Sequence, residues 1–271
     1  MDIFDIKDQV AVITGAGGVL GSKIALELAQ QGAKIGLLDI NLEPALEIAA
    51  EIKENGGEVL AVKTDVLNKE SLKNAREEVL AEFGRVDILI NGAGGNKKEA
   101  TTSEELDFFD LPEDAIKWVF NLNFLGTVLT SQVFGKEIAN NEKGSIINIS
   151  SMAAISPLTK TIAYSAAKAA VSNFTQWLAV YLNQNISEKI RVNAIAPGFL
   201  LTTQNKYLLI DQETGEETAR GKKIKNNTPM NRYGSPEELI GAVIWLASDA
   251  SSFVNGSIIP IDGGFAAYSG V

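Results

Sequence analysis

The stretch "VAVITGAGGVLGSKIALELAQ", residues 10–30, opens with an apolar, β-branched run and closes with apolar residues at helical spacing. Between them lies a glycine-rich turn, "TGAGGVLG", residues 14–21. Glycine has no Cβ and tolerates positive φ, so such a turn lets backbone N–H groups at a helix start come close to a phosphate. The common dinucleotide fingerprint G-x-G-x-x-G, started at Gly15, needs glycine at position 20, where this chain has Leu20. By itself the turn therefore reads either as a nucleotide site or as a tight strand-to-helix connection.

Moving outward, strand-like and helix-like segments alternate along the whole chain. Strand patterns are expected at 10–14, 34–39, 58–65, 86–94, 144–151, 190–198 and 256–264. Helical patterns lie between them, two of them long, at 112–140 and 163–184. Short β-branched runs separated by helices predict an α/β fold, a parallel sheet buried on both faces. The expectation is a single doubly wound Rossmann domain over residues 1–271 with seven strands. Two polar stretches, 95–114 and 199–235, follow the fourth and sixth strands. They leave the C-terminal ends of those strands, where open parallel sheets bind ligands, and long irregular segments of this kind are usually lids or binding loops.

Composition narrows the chemistry. With 34 Asp+Glu against 24 Lys+Arg the 271 residues carry a net charge of −10, which disfavours broad contact with nucleic acid or an anionic membrane. The chain has neither cysteine nor histidine, so disulfides, Cys/His zinc sites and imidazole or thiolate catalysis are excluded, and no metal site is expected. No apolar run approaches 18 residues, and the acidic start "MDIFDIKDQV" does not resemble a signal peptide. A cytoplasmic location is the default expectation.

Asp39 ends the second strand, 24 residues after Gly15. A carboxylate there can accept hydrogen bonds from both hydroxyls of an adenosine ribose and repel a 2′-phosphate. No arginine stands at 14–18 or 39–42 to neutralise such a phosphate, so NAD is the expected cofactor. Asp65-Val66 after the third strand and Asn91-Gly92-Ala93 after the fourth are placed to meet adenine and ribose. Each also has a plainer reading, the aspartates as helix caps and the glycines as turns.

Tyr164 and Lys168 stand four residues apart on one helix face. A nearby ammonium favours an ionised phenol, so Lys168 is expected to lower the pKa of Tyr164 and let it exchange protons with a substrate oxygen. Ser151, closing the fifth strand, offers that oxygen a hydroxyl. Taken alone, Y-x-x-x-K is more often an ordinary helix pair.

Together, Thr14-Gly15 with Gly21, Asp39, "NGAG" at 91–94, Asn123, Ser151, Tyr164 with Lys168, and Pro197-Gly198 with Thr202 resemble the short-chain dehydrogenase/reductase family across nearly the whole chain. The resemblance implies that Tyr164 is the general acid/base and that Ser151 orients the substrate oxygen. Lys168 would bind the nicotinamide ribose, and Asn123 would complete a water-mediated proton relay. It further implies that Gly15, Gly17, Gly18, Val19, Leu20 and Gly21 hold the pyrophosphate, and that Pro197, Gly198 and Thr202 meet the carboxamide end of NAD. Two departures stand out: Val19 replaces a family glycine, and Gly92 replaces an asparagine, leaving Asn91 to substitute. The turn, the insert "GAGGNKKEATT", "GFLLTTQNKYLL" and the ending "GGFAAYSGV" are similar to a sugar-acid branch of the family that interconverts D-mannonate and D-fructuronate. Asn96, Lys97 and Asn205 are the expected hexonate contacts. Gluconate, another polyol or a 3-oxoacyl thioester remain alternatives, as does a non-catalytic NAD-sensing regulator. The resemblance also implies a homotetramer. Trp118, Phe120, Phe124, Phe174, Trp177 and Tyr181 on the two long helices would then lie in a dimer interface, unless they are buried against their own sheet.

Overall fold

In a computed structural model, residues 2–202 and 206–270 are described. Seven strands, β1 (Val10–Thr14), β2 (Lys34–Asp39), β3 (Val59–Lys63), β4 (Ile88–Asn91), β5 (Gly144–Ile149), β6 (Ile190–Pro197) and β7 (Ile258–Ile261), form one sheet. Their order is β3-β2-β1-β4-β5-β6-β7 and every pairing is parallel. The order reverses between β1 and β4, which opens a crevice at the C-terminal strand ends. β1 is buried at all five positions, as its unbroken apolar run requires.

The helices α1 (Val19–Gln30), α2 (Leu42–Glu54), α3 (Lys69–Phe83), α4 (Glu113–Phe120), α5 (Gly126–Asn140), α6 (Ile162–Asn185), α7 (Lys206–Leu209), α8 (Ala219–Asn226) and α9 (Ile240–Ala247) cover the sheet. One apolar layer joins α1, α2 and α9 to one face, through Ile24, Leu28, Ile52 and Leu246. A second joins α3, α5 and α6 to the other, through Leu72, Val79, Phe134 and Leu182. Local signals set the ends of α3: the Asn68 side chain accepts from the Glu70 and Ser71 N–H groups, and Gly84 leaves the helix at φ 75°.

The long pattern at 112–140 is helical throughout, but a π-helical turn at Asn121–Leu125 interrupts it. The third, fourth, fifth and last strands end earlier than their apolar patterns, because the chain turns into the crevice at their C-termini. Segment 199–235 is not wholly irregular. It carries α7, α8 and a bridge between Ile210 and Glu217, and it returns to its root through a bridge between Leu200 and Gly234. Thr218 caps α8 by accepting from the Gly221 N–H, a local signal hidden among the charges. The aromatic residues of α4 and α6 are not all absorbed by their own sheet. Trp118, Trp177 and Tyr181 are 43, 57 and 45% exposed, and the rings of Phe174, Trp177 and Tyr181 stack in series.

Candidate active site

The turn after β1 and the segment after β4 pack backbone against backbone. Gly15 has φ +66°, and a Cβ on it would stand 2.9 Å from the Ala93 backbone. On Gly92 a Cβ would come within 2.7 Å of the Thr14 carbonyl, and on Gly21 it would run into the Gly15 carbonyl. A side chain at 92 would thus require the segments after β1 and β4 to move apart. Thr14 draws the two segments together, its hydroxyl accepting from the Gly92 and Ala93 N–H groups at 3.1 and 3.2 Å. Sequence reading did not assign Thr14 a role; a hydroxyl on the last strand residue before a glycine turn was the available signal.

These approaches leave a crevice of about 670 Å³. Its walls include Gly15, Gly17, Gly18, Val19, Leu20 and Gly21 on one side and Asp39, Asp65, Val66, Gly92 and Ala93 on another. Ser151, Tyr164, Lys168, Pro197, Gly198 and Thr202 line the same space. Phe199 and Leu200, at the root of the long segment, add apolar surface that the sequence reading missed. The first turn of α1 carries no acidic residue, and its N-cap is Gly18 with no side-chain cap. A cradle of glycine backbone at an uncapped helix start fits the diphosphate of a dinucleotide. Val19 costs this cradle nothing, since it begins α1 while Gly17 and Gly18 form the turn.

Asp39 reaches across the crevice. One carboxylate oxygen accepts from the Gly17 N–H and the other from the Asn41 N–H, both at 2.9 Å. It is therefore a brace between β2 and the turn, with lone pairs left for hydroxyl donors. Asp65 accepts locally from the Leu67 N–H at 2.9 Å.

The expectation that Asn91 substitutes for a polar side chain at 92 is not met. Its amide donates to Ser131 Oγ at 3.0 Å and to Asn148 Oδ1 at 2.8 Å. The side chain is buried on the far face of β4, because alternate strand residues point to opposite faces. Asn123, in the π-helical turn, clamps the start of the first insert: it donates to the Gly95 and Val119 carbonyls at 2.6 and 2.7 Å and accepts from the Gly95 N–H at 3.1 Å. The helix opens there, and one wider turn frees the Val119 carbonyl for the side chain.

Tyr164 and Lys168 share one face of α6, the Lys168 ammonium lying 5.7 Å from the phenol ring centre. Lys168 is 4% exposed and donates to the Ile149 carbonyl at 2.7 Å; burial pushes its pKa down to about 8. Burial also raises the Tyr164 phenol above its ordinary value, outweighing the opposing hydrogen bond from Ser151. The sequence reading had Lys168 lowering this pKa. The structure reverses the direction, because removal of water from the phenol outweighs the support of its one hydrogen bond. Ser151 Oγ also accepts from the Ala153 N–H at 3.1 Å.

Of the expected hexonate contacts, Asn96 and Lys97 do not line the crevice. Asn96 donates to Thr101 Oγ1 at 2.8 Å within its own loop. The Lys97 ammonium sits over the Trp118 ring, 5.2 Å from its centre. Asn205 lies outside the described residues. Among the described residues, no helix is long and apolar enough to cross a membrane.

A doubly wound sheet, a glycine cradle, and a serine, tyrosine and lysine at one mouth define a dinucleotide-linked oxidoreductase. Residues 15–266 match the family model described as enoyl-(acyl carrier protein) reductase. Over 98% of its length the chain is 51% identical to an uncharacterized oxidoreductase of Haemophilus influenzae, covering 96% of that protein. It is 49% identical to the uncharacterized oxidoreductase UxuB of Bacillus subtilis, covering 98% of each. A Haemophilus crystal structure, provisionally described as a D-mannonate oxidoreductase with bound NAD, superposes with a TM-score of 0.93 at 51% identity over 98% of both chains. The chain belongs to the short-chain dehydrogenase/reductase family, enzymes that act on CH–OH groups with a nicotinamide cofactor.

Proposed function

We propose that this protein is an NAD-dependent oxidoreductase that interconverts a secondary hydroxyl and a ketone on a sugar acid, with D-mannonate and D-fructuronate as the pair. The observation that carries the chemistry is the convergence of Ser151, Tyr164 and Lys168 on the crevice that holds the glycine cradle. NAD, when bound, accepts or returns the hydride. Gly15, Gly17, Gly18, Val19, Leu20 and Gly21 would hold its diphosphate, Asp39 its adenosine ribose, and Pro197, Gly198 and Thr202 its carboxamide end. Asp39 favours NAD over NADP, since a carboxylate repels a 2′-phosphate.

Tyr164 holds the proton that the substrate oxygen gains on reduction and releases on oxidation. Its raised pKa keeps it protonated at neutral pH, ready for reduction, so oxidation gains from alkaline conditions. Ser151 orients the substrate oxygen and its hydrogen bond supports the phenolate, and Lys168 would hold the nicotinamide ribose. Asn123 fixes the first insert beside the reacting groups. The sugar-acid reading rests on likeness to the Haemophilus and Bacillus proteins and on the polar inserts at 95–114 and 199–235, which suit hydroxyls and a carboxylate better than an acyl chain. The exposed aromatic faces of α4 and α6 support assembly into a homotetramer, and the acidic chain suits the cytoplasm.

A panel of hexonates, polyols and 3-oxoacyl thioesters, followed by NADH absorbance, tests the substrate. The expected result is the highest kcat/KM with D-mannonate; a preference for neutral polyols or thioesters sinks that choice. Tyr164→Phe tests the chemistry. Turnover should fall by about 10²–10⁴-fold with NAD binding retained, and full activity would remove Tyr164 from its role.

A further inference from the structure

Ser150 precedes the substrate-orienting serine and is 1% exposed. Its hydroxyl lies 2.7 Å from Ser172 Oγ and donates to the Lys168 carbonyl at 3.2 Å. The preceding residue, Ile149, receives the Lys168 ammonium, and the Ser150 N–H itself donates to the Ile195 carbonyl of β6 at 2.8 Å. Two consecutive residues at the end of β5 thus hold both the side chain and the backbone of Lys168. Ser172 lies one helical turn beyond Lys168, and Tyr164 one turn before it. A shift of α6 along β5 would move the Tyr164 hydroxyl away from Ser151 and the Lys168 ammonium away from the Ile149 carbonyl at the same time.

We propose that Ser150, backed by Ser172, is a positioning residue that locks the register of α6 against the end of β5 and so fixes where Tyr164 and Lys168 stand relative to Ser151. Ser150 does not itself exchange a proton: its hydroxyl is engaged by the helix. The inference rests on the reading of Tyr164 as acid/base. The groups bearing on the phenol are the Ser151 hydroxyl from β5 and the ammonium of Lys168 from α6, and no further charged group acts on it among the described residues.

The test compares Ser150→Ala and Ser172→Ala with the intact enzyme in oxidation of the best substrate from the panel, across pH. With Ser150→Ala, kcat should fall about tenfold or more, since small misplacements of reacting groups are costly, while KM for NAD stays within about twofold. The rising limb of the oxidation profile should move to higher pH, because a Ser151 hydroxyl held farther from the phenol supports the phenolate less. Ser172→Ala removes one of the two contacts and should shift the profile the same way by less. A lower kcat with an unmoved limb would mean mere loosening of the fold and would overturn the proposal, as would unchanged kcat. If Ser150→Ala is insoluble, the Ser172→Ala profile decides in the same terms. Tyr164→Phe, assayed alongside, separates the two levels: an active Tyr164→Phe defeats the acid/base reading, whereas an inactive one beside an unaltered Ser150→Ala defeats only the role of Ser150.

Discussion

The glycine cradle after β1 and the long segment 199–235 both border the crevice, yet they are built on opposite principles. In the cradle, recognition falls to the backbone, and side chains are excluded: Gly15, Gly21 and Gly92 each stand where a Cβ would meet another carbonyl or backbone atom. In the long segment, exposed charges ride on a backbone tied by isolated bridges, the cap of α8 and turn hydrogen bonds such as those from the Thr218 N–H to the Leu209 carbonyl and from the Met230 N–H to the Gly263 carbonyl. The lesson is one of tolerance. A site made of backbone is fixed by what must be absent, so single changes are costly; a site made of exposed charges can vary with little cost to the fold.

The sharpest way to break this comparison is Gly21→Ala. The added methyl runs into the Gly15 carbonyl, so the turn must open. We expect a loss of about 1–3 kcal/mol of stability and failure to bind NAD, read by thermal melting and fluorescence titration. Unchanged NAD affinity would show that the turn is not the diphosphate cradle.

Lys168→Met probes the catalytic mouth and should abolish most turnover while stabilising the fold. Burial lowers the folded-state pKa of Lys168 from 10.5 to about 8, so below pH 8 the folded protein bears the full cost of a buried charge, on the order of 3 kcal/mol. Between pH 8 and 10.5 the folded lysine sheds its proton while the unfolded one keeps it, and the intact protein gains stability with rising pH. The variant's advantage in melting temperature should thus be largest near pH 7 and shrink toward pH 10.5. A constant difference across that range would contradict the assigned burial.

Asp39→Ala removes the brace to Gly17 and the ribose partner together. KM for NAD should rise about ten- to a hundredfold, the value of one or two charge-assisted hydrogen bonds, and the preference over NADP should narrow. At the other extreme, Lys222→Ala on the exposed side of α8 should alter stability by less than about 0.5 kcal/mol. A larger loss would show that the long segment is packed more tightly than its bridges imply.

Much of this molecule was legible in one dimension. Seven apolar runs alternating with helices dictated a parallel sheet, because only burial on both faces accounts for strands such as Val10–Thr14 and Ile190–Pro197. The glycine turn and the residues at 151, 164 and 168 were each ambiguous alone, and only their combination pointed to a candidate cradle and catalytic mouth. Less legible were contacts set by which face a residue occupies. Asn91 and Gly92 are neighbours in sequence, but one points into the α5 side of the sheet and the other lies against Thr14. Asn96 and Lys97 have the right chemistry for a hexonate but find partners in Thr101 and Trp118.

The sequence by itself determined the fold class, since this follows from hydrophobic periodicity, and through its family resemblance it marked candidates for the cofactor cradle and the proton-handling groups. Only the tertiary structure decided how those groups behave. Whether the Tyr164 phenol is pushed up or down depends on how much water the surrounding elements remove, and whether Ser150 braces Lys168 depends on where α6 settles against β5. Both are effects of three-dimensional neighbours distant along the chain, and hydrophobic periodicity carries no record of them.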